Sequence, residues 1–145
     1  MAIARPTHRR LFSVFDHAYG RLSRRAGALL ADTGVKPAQA TALVYLGYHN
    51  GCQLSELAEG IGAGNAAVTG LVDRMEKSGL ATRRKLQSDG RGKTVHLTPD
   101  GLVKREQVMD RLRTLDEKLS QNFTDAEMET IYKFLNAASE LEVKP

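Results

Sequence analysis

The sequence predicts a mainly α-helical protein that carries one small β-hairpin. Apolar residues recur at spacings of three and four along most of the 145 residues, which is the period of an amphipathic helix. Between residues 81 and 98 the pattern changes to the alternation that is typical of strands. No apolar run reaches the roughly 18 residues needed to span a bilayer, so no membrane segment is predicted.

Length and composition favour one folded unit with helical extensions. The chain is 41% hydrophobic and lacks tryptophan, which suffices for a modest core. A single cysteine, Cys52, excludes an internal disulfide and fits a reducing compartment, so we expect a cytoplasmic protein. The arginine-rich start is also typical of organellar transit peptides. Asp16 and an apolar pattern that continues to Leu30 favour a folded helix instead.

Two helices are predicted in the first third of the chain. The first covers residues 8–31, with an apolar stripe formed by Leu11, Phe15, Ala18, Leu22, Ala26 and Leu29. The segment "DTGVKP" interrupts the helical pattern. A second helix begins at Pro37, a residue that suits the first helical turn, and runs through His49. The turn-forming pair Asn50-Gly51 ends it.

A short third helix is predicted at 54–61, because Leu54, Leu57, Ala58 and Ile61 share one face. The next residues, "GAGNAA" at 62–67, fit the glycine fingerprint of a dinucleotide-binding turn, with alanine in place of the third glycine. That fingerprint requires a strand before the glycines, whereas the residues here have helical period. We therefore predict a sharp turn between two helices.

The fourth helix has an apolar inner face formed by Val68, Leu71, Val72 and Met75, and it ends at Gly79. Two short strands follow at 81–86 and 93–98, joined by the polar segment "QSDGRG". A long helix is predicted at 99–121, with Thr98 before it as the N-cap. Thr124 and Glu127 form a capping box that opens a final helix at 125–141. The predicted order is α-α-α-α-β-β-α-α.

Positive charge is concentrated in the predicted hairpin. Residues 81–98 contain five basic side chains and one acidic side chain, whereas residues 99–145 contain seven basic and ten acidic ones. A short basic segment of this kind suggests contact with a polyanion at one place. The spacing Ala58, Gly62, Val68, Leu71 is typical of a helix-turn-helix, and a basic hairpin directly after it defines a winged helix-turn-helix.

Residues 54–101 resemble the MarR family of bacterial transcriptional regulators. The features that carry the resemblance are "LVDRMEKSGL", Arg83 in the following strand, the Asp89-x-Arg91 pair, and "LTPDG" at 97–101. The long helices before and after this segment also match, so the resemblance covers nearly the whole chain.

The resemblance implies a homodimer that binds double-stranded DNA. Residues 33–98 are expected to form the winged helix-turn-helix lobe, and residues 1–32 and 99–145 a helical dimerisation lobe. Three apolar helical stripes beside a small winged domain support this, because such stripes are a liability when exposed. The simpler alternative is a bundle within one chain. A symmetric dimer predicts a pseudo-palindromic operator with half-sites about one helical turn apart.

The expected DNA-contacting residues are Asn65, Thr69, Arg74, Arg83, Arg84, Lys85, Asp89, Arg91 and Lys93. Asn65 and Thr69 lie at the start of the predicted recognition helix, where side chains reach the major groove. Arg91 is expected to enter the minor groove, oriented by Asp89, and the cations of the strands to contact phosphates. Arg74 has an equally simple interpretation as a charge on the helix surface.

The family commonly responds to small aromatic anions that bind between the two lobes. Side chains of the first two helices that would line such a cleft are Phe12, Phe15, His17, Arg21, Tyr45 and Tyr48. Each of these also fits an ordinary core position. No metal site is predicted, because His49 and Cys52 have no further ligands nearby. No cofactor is predicted, and no catalytic set is present in the sequence, so an enzyme is not expected.

Two other functions remain open. Small residues at 64, 66, 67 and 70 leave few polar groups on the predicted recognition helix, where the family often has hydroxyl residues. A protein–protein adaptor that has lost DNA contacts would explain this composition. An architectural nucleic-acid-binding protein without effector control is the other alternative. The basic hairpin favours a DNA-binding regulator over the adaptor.

Overall fold

The computed structural model describes residues 10–86, 88 and 92–143. The helices are α1 (Leu11–Leu29), α2 (Pro37–Tyr48), α3 (Leu54–Gly60), α4 (Asn65–Lys77), α5 (Pro99–Ser120) and α6 (Asp125–Ser139). The strands are β1 (Cys52–Gln53), β2 (Ala81–Lys85) and β3 (Lys93–Leu97). The predicted class, mainly helical with a small β-sheet, is confirmed. None of the described helices combines the length and apolarity that crossing a membrane requires.

The predicted element order missed one strand. Cys52 was expected in a connector, but it lies in β1 and pairs with Val95 of β3, so that the antiparallel sheet has the order β1-β3-β2. A strand of two residues is too short to show alternation in the sequence. Its existence depends on β3, which is more than forty residues away along the chain. A 3₁₀ turn at Ala31–Thr33 also replaces the predicted end of the first helix.

The buried core includes the whole inner face predicted for the fourth helix and part of the face predicted for the third. The largest fully buried side chains are Leu30, Leu43, Leu46, Leu57, Met75, Val68, Val72, Val95 and Val108. Ala58 is buried where α3 meets α4, and its carbonyl accepts the Ala63 N–H at 2.9 Å. Gly62 makes the turn with φ +65°, a backbone conformation that side chains disfavour. The turn between two helices that the sequence predicted is therefore present.

The first turn of α5 lies directly on the corner between α4 and β2. The Thr98 hydroxyl donates to the Gly79 carbonyl at 2.5 Å and accepts the Gly101 N–H at 3.0 Å, as predicted for an N-cap. The Leu80 carbonyl accepts the Thr98 N–H at 3.1 Å. A Cβ atom on Gly101 would collide with the Leu80 carbonyl oxygen. Glycine at 101 therefore permits a close approach between a helix and a backbone.

The chain divides into two compact units, Met1–Leu112 and Arg113–Pro145. The second unit contains the end of α5 and all of α6. Helix α6 begins with the predicted capping box: the Thr124 hydroxyl accepts the Glu127 N–H at 3.3 Å, and the Glu127 carboxylate accepts the Thr124 N–H at 2.8 Å. The hydrogen bond from the Thr124 N–H, and a second from the Thr124 hydroxyl to the Glu127 carboxylate at 3.0 Å, lower the pKa of Glu127. Large apolar side chains of this unit are exposed, among them Phe123, Tyr132 and Leu141.

Candidate nucleic-acid interface

Helix α4 presents its first turns to solvent. Val68 is fully buried, whereas Asn65 and Thr69 are exposed, and the Thr69 hydroxyl donates back to the Asn65 carbonyl at 3.0 Å. The residue before the helix is Gly64, which has no side chain to compete for the N–H groups of the first turn. N–H groups at a helix start favour an anion. The start of α4 thus combines an exposed polar face with a natural phosphate-binding end.

The β2–β3 hairpin carries exposed cations on both of its faces. Arg84 and Lys85 on β2 and Lys93 on β3 are exposed, and Lys85 lies directly opposite Lys93 in the antiparallel register. Like charges directly opposite each other destabilise a sheet, so a bound anion would relieve this pair. The predicted wing residues Asp89 and Arg91 lie outside the described residues.

His96 adds no positive charge to this hairpin at neutral pH. Burial of the ring lowers the pKa of His96 below its ordinary value of 6.5, and the nearby Arg84 lowers it further. Its Nε2 lies 2.9 Å from the Thr94 hydroxyl. The imidazole therefore acts as a neutral hydrogen-bonding group within the sheet.

Arg83 occupies a different place from the phosphate contact expected from the sequence. Its side chain is only 14% exposed, and its Nη1 lies 2.7 Å from Asp73 Oδ1 and 2.9 Å from Glu76 Oε2. Both carboxylates belong to α4. Nη2 donates to the Thr69 carbonyl at 3.1 Å. The charge of Arg83 is balanced within the domain, since β2 turns this side chain towards α4 and its two acidic residues.

Arg74 is exposed on the outer face of α4, and it lines a groove of the first unit. The groove has a volume of about 880 Å³. It lies between α1 and α2 on one side and the α3–α4 turn on the other. Its apolar lining includes Ile61, Ala63 and Leu71. Tyr45 and Tyr48 supply aromatic surface, as expected.

The other residues predicted for a ligand cleft do not join Tyr45 and Tyr48 in this groove. His17 and Arg21 line a separate, smaller hollow along α1. Phe12 is 80% exposed, and neither it nor Phe15 lines either of these hollows in the described structure. The six residues therefore do not share one hollow in the described structure, and for two of them the reason is that a helix turns about 100° per residue. Positions 17 and 21 therefore point away from the α1 face that lines the groove.

Two residues of α1 that the sequence analysis omitted, Tyr19 and Ser23, do line the groove. They are four residues apart, so their shared face was visible in the sequence as a spacing of i and i+4. The partners of Arg83 were omitted as well. Asp73 and Glu76 are three residues apart on one helix face, which is the signal that an acidic pair could receive a cation.

Tyr45 packs behind the groove against Gly60 and stacks on His49, with ring centroids 4.4 Å apart. Burial raises the pKa of Tyr45, and Cys52, Glu56 and Glu59 raise it further. Burial and Glu56 also raise the pKa of the Cys52 thiol. A thiol with a raised pKa is a weak nucleophile at neutral pH. This environment is that of a structural cysteine.

Within the described ranges, no group of three or more His, Cys, Asp or Glu side chains is arranged to hold a metal ion.

The fold and this site define a winged helix-turn-helix protein. Residues 35–93 match the sequence model of the MarR family. The chain is 33% identical over 95 residues to the HTH-type transcriptional repressor MdtR of Bacillus subtilis, an alignment that covers 66% of this chain and 61% of the relative. The family model thus matches the segment from α2 to the start of β3, and the chain is similar to the MarR family there. It spans about three fifths or less of the length of the curated relatives that it matches.

Solved structures share the fold over most of the chain. A mutant MarR from E. coli in complex with operator DNA superposes with a TM-score of 0.80 at 23% identity, covering 88% of this chain and 92% of that chain. CouR from Rhodococcus jostii RHA1 bound to p-coumaroyl-CoA gives a TM-score of 0.79 at 19% identity, covering 91% and 93%. At these identities the likeness establishes a common fold.

Proposed function

We propose that this protein is a DNA-binding transcriptional regulator whose α4 enters the major groove. The observation that carries the proposal is the exposed start of α4, with Asn65 and Thr69 outward, beside the exposed cations Arg84, Lys85 and Lys93. A helix of this kind reads base edges, and flanking cations bind phosphates. The complex of the related MarR fold with operator DNA supports the same role here. From the sequence, we propose that Arg91 reaches the minor groove from the hairpin tip.

The acting form is proposed to be a homodimer. Helix α1 exposes Leu11, Phe12, Val14 and Phe15, and α6 exposes Tyr132 and Leu135. Apolar surface of this extent on the described helices indicates that a second copy covers it. A twofold dimer presents two copies of α4, which fits a pseudo-palindromic operator and repression by occupancy of a promoter.

We further propose that the 880 Å³ groove binds a small aromatic ligand that carries an anionic group. Tyr19, Tyr45 and Tyr48 supply aromatic walls, and Arg74 supplies the one guanidinium that the described lining contains. Because Arg74 belongs to α4, a ligand held there would bias the position of the DNA-reading helix and thereby the DNA affinity. CouR bound to p-coumaroyl-CoA supports an aromatic ligand for this fold.

Fluorescence anisotropy with a labelled duplex from the region upstream of the protein's own gene tests the DNA-binding function. We expect tight binding to this duplex, weaker binding to a scrambled duplex of the same composition, and affinity that falls steeply with salt as phosphate contacts release counterions. Equal affinity for both duplexes would indicate an architectural protein, and no binding to either would indicate an adaptor.

The ligand site is tested by the same assay with a panel of aromatic carboxylates and p-coumaroyl-CoA. Tyr19→Ala removes a ring that lines the groove, whereas His17→Ala removes an aromatic ring of the same helix that lines the separate hollow. We expect Tyr19→Ala to weaken the response to an active compound and His17→Ala to leave it unchanged. Equal loss in both variants would place the ligand elsewhere.

A further inference from the structure

We propose that Arg83 is a positioning residue that fixes α4 against β2, and that its charge is not used on a phosphate. The inference rests on the proposed DNA-binding function and concerns how the reading helix is held. The Arg83 cluster, defined here as Arg83, Thr69, Asp73 and Glu76, joins the middle of β2 to three positions of α4.

The three α4 residues of the Arg83 cluster lie on a single face of the helix. Thr69, Asp73 and Glu76 are related by spacings of four and three, so they lie one above the other on the helix. The guanidinium of Arg83 reaches all three: a carbonyl at 3.1 Å and carboxylates at 2.7 and 2.9 Å. A planar group with five donors can make these contacts at once, whereas the ammonium group of lysine lacks that fork geometry.

Glu76 binds both the backbone and the side chain of Arg83. Its Oε1 accepts the Arg83 N–H at 2.7 Å, while its Oε2 accepts from the Arg83 guanidinium. Strand β2 is an edge strand, because the sheet order is β1-β3-β2. Unpaired N–H groups on such an edge need a partner, and Glu76 supplies one. Helix and strand are therefore tied by two independent kinds of hydrogen bond to one carboxylate.

The cluster ends at the DNA-reading part of the helix. The carbonyl that Arg83 holds belongs to Thr69, whose exposed side chain is a proposed DNA contact. Fixing this residue relative to the hairpin sets the angle between the two DNA-contacting elements before DNA arrives. A preorganised site loses less conformational entropy on binding.

Charge gives a second reason for the assignment. Asp73 and Glu76 are carboxylates on the helix that approaches a polyanion, and unpaired they would repel phosphates. Arg83 offsets the negative charge of these carboxylates only while it remains in contact with them. If Arg83 moved to a phosphate, both carboxylates would lose this partner. The exposed neighbours Arg84 and Lys85 make no ion pair with α4 among the described contacts. They are therefore the better phosphate ligands.

The salt dependence of DNA affinity separates the two roles. Arg83→Met removes the guanidinium and keeps most of the side-chain length, and Arg84→Met is the matched control at the exposed neighbour. Loss of one phosphate contact reduces the steepness of log affinity against log salt by about 0.9. A substitution present in both chains of the proposed homodimer removes two such contacts and should reduce the steepness by about 1.8. We expect that change for Arg84→Met. For Arg83→Met we expect an unchanged slope and an affinity about tenfold lower or more, calculated per folded molecule from the circular dichroism of the same sample.

Two further variants test the positioning itself. Arg83→Lys keeps the charge but not the fork, so we expect only partial recovery of affinity. The double variant Arg83→Met/Asp73→Asn should lose less affinity than the sum of its single variants, because the two residues act through one contact. A steepness that falls by about 1.8 in Arg83→Met, an unchanged affinity per folded molecule, or strictly additive losses would each overturn the proposal.

Failure of the proposed DNA-binding function would give a different experimental result. If the wild-type protein binds no duplex at any salt concentration, the proposed DNA-binding function fails, and with it any positioning role towards DNA. If the wild type binds DNA and Arg83→Met behaves as Arg84→Met does, the function stands and the assignment of Arg83 is wrong.

Discussion

Replacement of Gly101 by alanine tests whether the close approach of α5 to the Leu80 carbonyl is required. The added Cβ would overlap the Leu80 oxygen, which is held in place because it accepts the Thr98 N–H at 3.1 Å. Overpacking of this kind costs about 1–3 kcal/mol. Removing a glycine also restricts the unfolded chain, which offsets about 0.4–1 kcal/mol. The net expectation is a loss of about 1–2 kcal/mol.

Gly20→Ala provides the matched control. Gly20 lies inside α1, and a Cβ there would meet only the end of Arg24 at 3.9 Å. The same effect on the unfolded chain then acts without a clash, so we expect Gly20→Ala to stabilise the protein by about 0.4–1 kcal/mol. The two substitutions are chemically identical and should have opposite signs.

Thermal unfolding followed by circular dichroism measures both effects. For a chain of this size, about 3 °C of Tm corresponds to each kcal/mol, so Gly101→Ala should lower Tm by about 3–6 °C. All variants are compared at one protein concentration, because association of two copies makes Tm depend on concentration. If Gly101→Ala unfolds at or above the wild-type temperature while Gly20→Ala is stabilised, the backbone contact does not constrain position 101.

Three further predictions concern the DNA contact, the dimer and the thiol. Arg91→Ala, at a position outside the described residues, should weaken operator binding by about 1–3 kcal/mol with the dimer intact, whereas Ser88→Ala should have little effect; equal affinities would remove the hairpin tip from recognition. Light scattering at micromolar concentration should give twice the 15.9 kDa of one chain. Tyr132→Glu should shift this mass towards the monomer and Thr130→Glu should not, because Thr130 is exposed on the other side of α6 from Tyr132; a monomeric wild type would contradict the symmetric-operator argument. The raised pKa of Cys52 predicts that its alkylation by iodoacetamide is slow at pH 7 and still accelerates above pH 9.0, the ordinary value; a rate that levels off below pH 8 would show an activated thiolate.

Local rules account for most of the helical framework. The capping box at Thr124 and Glu127 is a pattern of four consecutive residues, and the structure contains both of its hydrogen bonds. The turn at Gly62 follows from the same kind of short-range signal, since positive φ favours glycine. Helical period, caps and glycine turns involve neighbours along the chain, so they are readable before any folding is considered.

The residues of the functional surface could be predicted only in part, because some of their contacts join residues that are distant in the sequence. The exposed cations Arg84, Lys85 and Lys93 follow from the concentration of basic residues in the predicted hairpin, but the partners of Arg83 do not follow from it. In the sequence, Arg83 is simply one of several cations in a basic strand. Only the packing of β2 against α4 brings it to Asp73 and Glu76, seven and more residues away.

The sequence by itself determined the order of the helices, the basic hairpin and the glycine turn between α3 and α4, because periodicity, charge and residue size are properties of the chain. Tertiary structure alone decided that a two-residue strand joins the sheet, that Tyr19 rather than Phe12 lines the groove, and that Arg83 contacts the reading helix. Each of these depends on which faces of distant elements meet. That choice is made by burial of the shared core, and it leaves no local pattern in the sequence.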